Sequence, residues 1–168
     1  MANAKTLKSR LASGEFDARL KEVYLSDKAV EDQKKRDAVI IDEFVRLFGD
    51  NDSIELFSAP GRTEVGGNHT DHNHGKVLAA SVDLDTVAAA AKRDDGIIVE
   101  KSFKFDALEV DITDLEVHTE EFGKSSGLIR GMCAGFKERG YNIGGFNAAS
   151  MSRVLSGSGL SSSAAYEV

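Results

Sequence analysis

Ala59-Pro60-Gly61-Arg62-Thr63-Glu64-Val65-Gly66-Gly67-Asn68-His69-Thr70-Asp71-His72-Asn73-His74-Gly75 holds the only proline of the chain, four of its 16 glycines and three of its four histidines. The apolar run just before it, from Ile54 to Phe57, predicts a strand. Pro60 and Gly61 then predict a sharp turn out of that strand. Beyond the turn, a glycine-rich loop presents Arg62, Glu64, Asp71 and the histidines. Polar groups on a loop held by a rigid scaffold are where binding chemistry usually sits.

Upstream, residues 1–49 carry helical spacing. Leu7 and Leu11 predict a short first helix that breaks near Ser13 and Gly14. Phe16, Leu20, Val23 and Tyr24 fall on one helix face. Ser26 is placed to cap a longer helix with apolar positions Val30, Ile40, Ile41, Phe44, Val45 and Phe48, stopped by Gly49. Lys34-Lys35-Arg36 reads as a solvated helix face.

Downstream, residues 77–80 and 82–93 predict strands. Val82, Leu84 and Thr86 alternate, and Asp94-Asp95-Gly96 supplies a turn, which outweighs the helical preference of four alanines. Residues 97–103 and 108–112 predict an antiparallel pair. Residues 94–121 hold ten acids against two lysines, a solvated sheet edge that resists edge-to-edge association. Leu128, Ile129, Met132, Cys133 and Phe136 predict a helix over 125–139, and residues 146–155 a last strand. Helices, then strands, then helix and strand imply an α+β fold with a mixed or antiparallel sheet. The division expected is a helical segment at 1–50 and a domain at 51–168.

Composition narrows the function. With 41% hydrophobic and 29% charged residues, the 168-residue chain has the make-up of a globular domain with its own core. The net charge of −7 argues against a general nucleic-acid surface. No apolar run predicts a membrane span, and the lone cysteine, Cys133, fits a reducing cytoplasm.

A second loop closes the sequence. After Val154 and Leu155 come Ser156-Gly157-Ser158-Gly159-Leu160-Ser161-Ser162-Ser163 and a helix start. Glycines let a backbone approach a phosphate closely, and serine hydroxyls can donate to phosphate or ligate Mg²⁺. The pattern is neither a Walker loop nor the dinucleotide motif, because Ser162 stands where a third glycine belongs. A serine-capped helix after a flexible turn is the plainer reading of the same residues. Ending one turn into a helix, the chain is expected to be truncated.

Together the two loops resemble the GHMP small-molecule kinases, the galactokinase branch most closely. Gly61-Arg62, Gly67, His69-Thr70-Asp71 and Gly75 are similar to that branch's sugar signature, and Gly157 to Ala164 to the family's ATP loop. The resemblance implies an N-terminal GHMP-kinase domain (the ribosomal protein S5 domain 2-like fold), with a mixed sheet and helices packed on one side, incomplete at its C-terminus. It implies a sugar 1-kinase that takes ATP and Mg²⁺, in the cytoplasm, with a small sugar as its partner. Arg62 would stabilise charge at the reacting hydroxyl, and Arg62, Asn68, His69, Thr70 and Asp71 would contact the sugar. Gly157, Ser158, Gly159, Leu160, Ser161, Ser162 and Ser163 would wrap the triphosphate, with Ser163 on Mg²⁺. This requires the two loops to share one cleft.

Four residues depart from the family pattern, and the first two, Asn68 and Glu64, bear on the sugar. Asn68 replaces a glutamate, Glu64 an asparagine, and His72 an aromatic residue; in the second loop, Leu155 stands in place of a proline. A kinase for another sugar or amino sugar, and a non-catalytic sugar sensor, are the rival readings. The resemblance puts the catalytic aspartate and a second Mg²⁺ carboxylate beyond Val168, so the polypeptide is expected to be an N-terminal piece, inactive alone. His69, His72, His74 and Asp71 have metal-ligand chemistry but no standard zinc spacing.

Overall fold

A computed structural model describes residues 2–68, 70, 73–103, 105–155, 157 and 159–167. Among the described residues the elements run α1 (Ala4–Ala12), α2 (Asp17–Tyr24), α3 (Asp27–Phe48), β1 (Glu55–Gly66), β2 (Leu78–Arg93), β3 (Ile97–Ser102), β4 (Leu108–Asp111), a 3-10 turn (Thr119–Glu121), α4 (Ser125–Glu138), β5 (Gly145–Ser152) and α5 (Ser162–Glu167). None of the described helices is long and apolar enough to cross a membrane.

The helix ends lie where local chemistry puts them. The Asn3 side chain accepts from the Thr6 N–H at 2.9 Å to start α1, and the Ser26 hydroxyl accepts from the Ala29 N–H at 3.2 Å to start α3. Leu25 takes a left-handed conformation that ends α2, and Gly49 caps α3.

Five strands order as β1-β2-β5-β3-β4. β3 runs antiparallel to β4, with Ile98 opposite Val110, and parallel to β5, with Ile98 opposite Phe146. The sheet is therefore mixed, one of the two arrangements that the α+β reading allows. Two compact units divide the chain: Met1–Phe57 with Ala88–Met151, and Ser58–Val87 with Ser152–Val168.

In the first unit, α1 and α3 bury Leu7, Leu11, Ile40, Ile41 and Phe44 against Ile54, Ala89, Ala91 and Ala149. Alanines on the strands let the large helix residues come close to the sheet. α2 packs on α3 and α4 on β4. Arg130 of α4 holds Glu121 through two hydrogen bonds of 2.7 and 3.0 Å, and donates to the carbonyls of Asp111 and Asp114. One side chain thus fastens the acidic excursion after β4 to the helix.

Three sequence expectations are corrected. The turn at Pro60-Gly61 does not exist, because β1 runs straight through both residues. β1 ends the strand order, and an edge strand tolerates a residue without an N–H. In β2 the buried set is Asp85, Val87, Ala89 and Ala91, not the alternation through Val82, Leu84 and Thr86. The small alanines, weak as a hydrophobic signal, are the ones facing the core. Arg36 is not solvated: it is 4% exposed, donating to Gln33 Oε1 at 3.2 Å and to the Met151 carbonyl at 2.7 Å. Gln33 in turn donates to Asp37 at 2.6 Å, so α3 carries a buried polar row, hydrogen-bonded within itself and to the end of β5.

The turn between β2 and β3 makes a pH prediction. The Arg93 guanidinium donates to the Asp95 carboxylate at 3.0 Å, and the Ile97 N–H donates to it at 3.1 Å. The arginine first, then the amide, hold the Asp95 carboxyl at about 2, below its ordinary 3.8. A lowered carboxyl supports the fold above its unfolded value and loses that support as pH falls toward its folded one. Denaturation midpoints should therefore fall between those two values more steeply in the native chain than in Asp95→Asn. Equal slopes would count against the pairing.

Candidate functional site

The second unit carries the residues that the sequence singles out. Successive side chains of a strand point to opposite faces, so Arg62 and Glu64 share one face of β1. Below them Ser58 donates to the buried Asp85 carboxylate of β2 at 2.6 Å. The Arg153 N–H donates to the Asp85 carbonyl at 2.8 Å. Thr86 and Ser152 join hydroxyls at 2.8 Å, and Ser152 also exchanges hydrogen bonds with the Val154 backbone. β1, β2 and the chain leaving β5 are thereby tied by short polar links just before the serine-rich loop.

That loop turns back onto β1. The Arg62 N–H donates to the Leu160 carbonyl at 3.1 Å. Gly157 and Gly159 have φ of 76° and 75°, and Ser161 takes φ of 56°, a region that L side chains enter at a cost. Between strand and loop lies an open cavity of about 460 Å³, lined by Arg62, Glu64, Leu155, Gly157, Gly159, Ser161, Ser162 and Ser163. It offers a cation, a carboxylate, three hydroxyls and glycine backbone on one surface. This donor set suits a phosphate chain with its divalent cation, since Arg and hydroxyls meet the anion while hydroxyl and carboxylate oxygens suit a hard metal.

Arg62 therefore faces the same space as Gly157, Gly159, Ser161, Ser162 and Ser163. Glu64 and Leu155 line it too. The period-two pattern through Arg62 carried the signal for Glu64; Leu155 stood out only as a departure from a family motif. Asp85 went unnoticed, although a carboxylate among strand alanines is itself a flag. Asn68 and Thr70 are not among the cavity residues. Asn68 is exposed with φ of 54°. Thr70 organises its own loop: its hydroxyl donates to the Gly67 carbonyl at 2.8 Å, and its carbonyl accepts from the N–H groups of Asn73 and Gly75. His69, Asp71 and Ser158 lie outside the described residues, as does His72. Among the described residues no cluster of metal-ligating side chains forms.

This architecture is the GHMP-kinase fold. The crystal structure of mevalonate kinase from Methanococcus jannaschii superposes with a TM-score of 0.54 at 15% identity, covering 68% of this chain and 37% of that one. The relationship narrows further in one branch. Galactokinase from Lactococcus lactis, solved in complex with galactose, superposes with a TM-score of 0.67 at 34% identity, covering 78% of this chain and 34% of that one. The curated galactokinase of Lactococcus lactis subsp. cremoris (strain MG1363) is 34% identical over 135 residues, 78% of this chain and 33% of its own length. Residues 42–92 match the galactokinase galactose-binding signature. The chain is thus a relative of the galactokinases, and it spans about a third of the length of the curated relatives it matches.

Proposed function

We propose that this chain supplies the sugar- and nucleotide-binding walls of an ATP-dependent sugar 1-kinase, with galactose as the sugar. The observation that supports this best is the shared cavity of Arg62 with Gly157, Gly159, Ser161, Ser162 and Ser163, in a chain related to galactokinases. Ser161, Ser162 and the glycine backbone would hold the triphosphate, and Ser163 would reach Mg²⁺. ATP supplies the phosphoryl group, and phosphoryl transfer asks the protein mainly for alignment and for charge opposite the transferring oxygens. Arg62, a fixed cation on a rigid strand, meets that need. His69, Thr70 and Asp71 would present the sugar, an aspartate accepting from two adjacent hydroxyls.

Asn68 favours a second reading of the substrate. An amide can donate where a carboxylate only accepts, so Asn68 can also serve a substituent that only accepts, such as an N-acetyl carbonyl. Calorimetric titration of the chain with galactose, N-acetylgalactosamine and glucose, and with magnesium and the non-hydrolysable analogue AMP-PNP, separates these. The proposal expects saturable binding of AMP-PNP and of galactose above glucose. A preference for the amino sugar selects the second reading, and no nucleotide binding rejects the kinase.

A further inference from the structure

Gly61 is buried on β1, and a Cβ built there would lie 2.9 Å from the Leu160 carbonyl oxygen and 3.1 and 3.2 Å from the two methyls of Val154. Val154 is itself 3% exposed, so it has little room to retreat. The next residue, Arg62, donates its N–H to that same Leu160 oxygen at 3.1 Å. β1 can reach the serine-rich loop only because position 61 has no side chain. We propose that Gly61 is a positioning residue, a latch point at which β1 captures the Leu160 carbonyl and thereby aims the phosphate-binding wall of the cavity. This rests on the kinase reading above.

The captured carbonyl has a directional consequence. In a planar trans peptide the N–H points opposite to the C=O, and no peptide of the described chain is cis. Fixing the Leu160 carbonyl toward β1 therefore turns the Ser161 N–H away from β1. Ser161 lines the cavity and sits at φ of 56°, a conformation that persists only where its surroundings impose it. The latch is such an imposition. It also puts Arg62, whose side chain lines one wall, one bond away from the backbone that shapes the other.

Amide hydrogen exchange and AMP-PNP titration on this chain test the latch, using Gly61→Ala and Gly61→Val. The Arg62 amide should exchange slowly in the native chain and at least tenfold faster in Gly61→Val, while the amides of Ile98 and Ala149 keep their protection. The affinity for magnesium AMP-PNP should fall at least tenfold, and galactose affinity by less. Adding Val154→Ala to Gly61→Ala removes the methyl crowding but leaves the carbonyl contact, so the latch expects no recovery of nucleotide affinity; full recovery means plain overpacking and overturns it. Unchanged Arg62 protection in Gly61→Val, or lost protection with unchanged AMP-PNP affinity, also overturns it. If the native chain binds no AMP-PNP, the kinase reading fails and exchange alone decides: lost Arg62 protection in Gly61→Val sustains the latch and retained protection rejects it.

Discussion

Phe44→Ala is expected to cost the fold about 3–5 kcal/mol, the range for removing a fully buried phenylalanine. Phe44 is 1% exposed and lies in the cluster that joins α1 and α3 to Ile54, Ala89, Ala91 and Ala149. Its ring meets that of Phe48 at 5.2 Å with the planes tilted by 53°, a favourable aromatic geometry. The facing strand residues are alanines, which have no longer side chain to swing into the gap, so the cavity would stay largely open. Val39 on the same helix is 47% exposed, and Val39→Ala should change stability by no more than about 0.5 kcal/mol. Urea denaturation of both variants checks the contrast, and equal midpoints would mean that α3 does not carry the core.

The second large effect belongs to chemistry. In a polypeptide extended to the full length of the relatives, Arg62→Ala is expected to lower phosphotransfer by about 10³-fold, the order found when a cation opposite a transferring phosphoryl is lost. Arg62→Lys should restore only part of this, because an ammonium keeps the charge but not the planar fork. The bond from Arg62 to Leu160 uses the backbone N–H, so both variants retain it. A loss of kcat at an unchanged thermal midpoint therefore reports the side chain alone. A fall of less than tenfold would remove Arg62 from the reaction.

What could be read from the chain divides by the range of the forces involved. The caps at Ser26 and Gly49 were legible because a cap is settled within four residues. The strand through four alanines was legible from its flanking turn. Pro60 was misread because its acceptance depends on β1 standing at the end of the strand order, which no local pattern encodes. Arg36 was misread for a similar reason, since its partner at Met151 is far along the chain. At the candidate site, Arg62 and the serines stood out by motif. The meeting of Gly61 with Leu160 is a contact between distant segments, and nothing in either segment alone announces it.

The pairing of β3 carries a consequence for how the molecule assembles. Ile98 meets Val110 through a short hairpin, but it meets Phe146 only after β4, the acidic excursion and α4 have been laid down. Closing a long loop costs more chain entropy than closing a short one, and parallel pairing is intrinsically slow to form. The hairpin is therefore placed to nucleate early, and the parallel seam to be the late step. The serine-rich segment follows β5 directly, so nascent chains acquire this wall of the cavity only once that late step is complete.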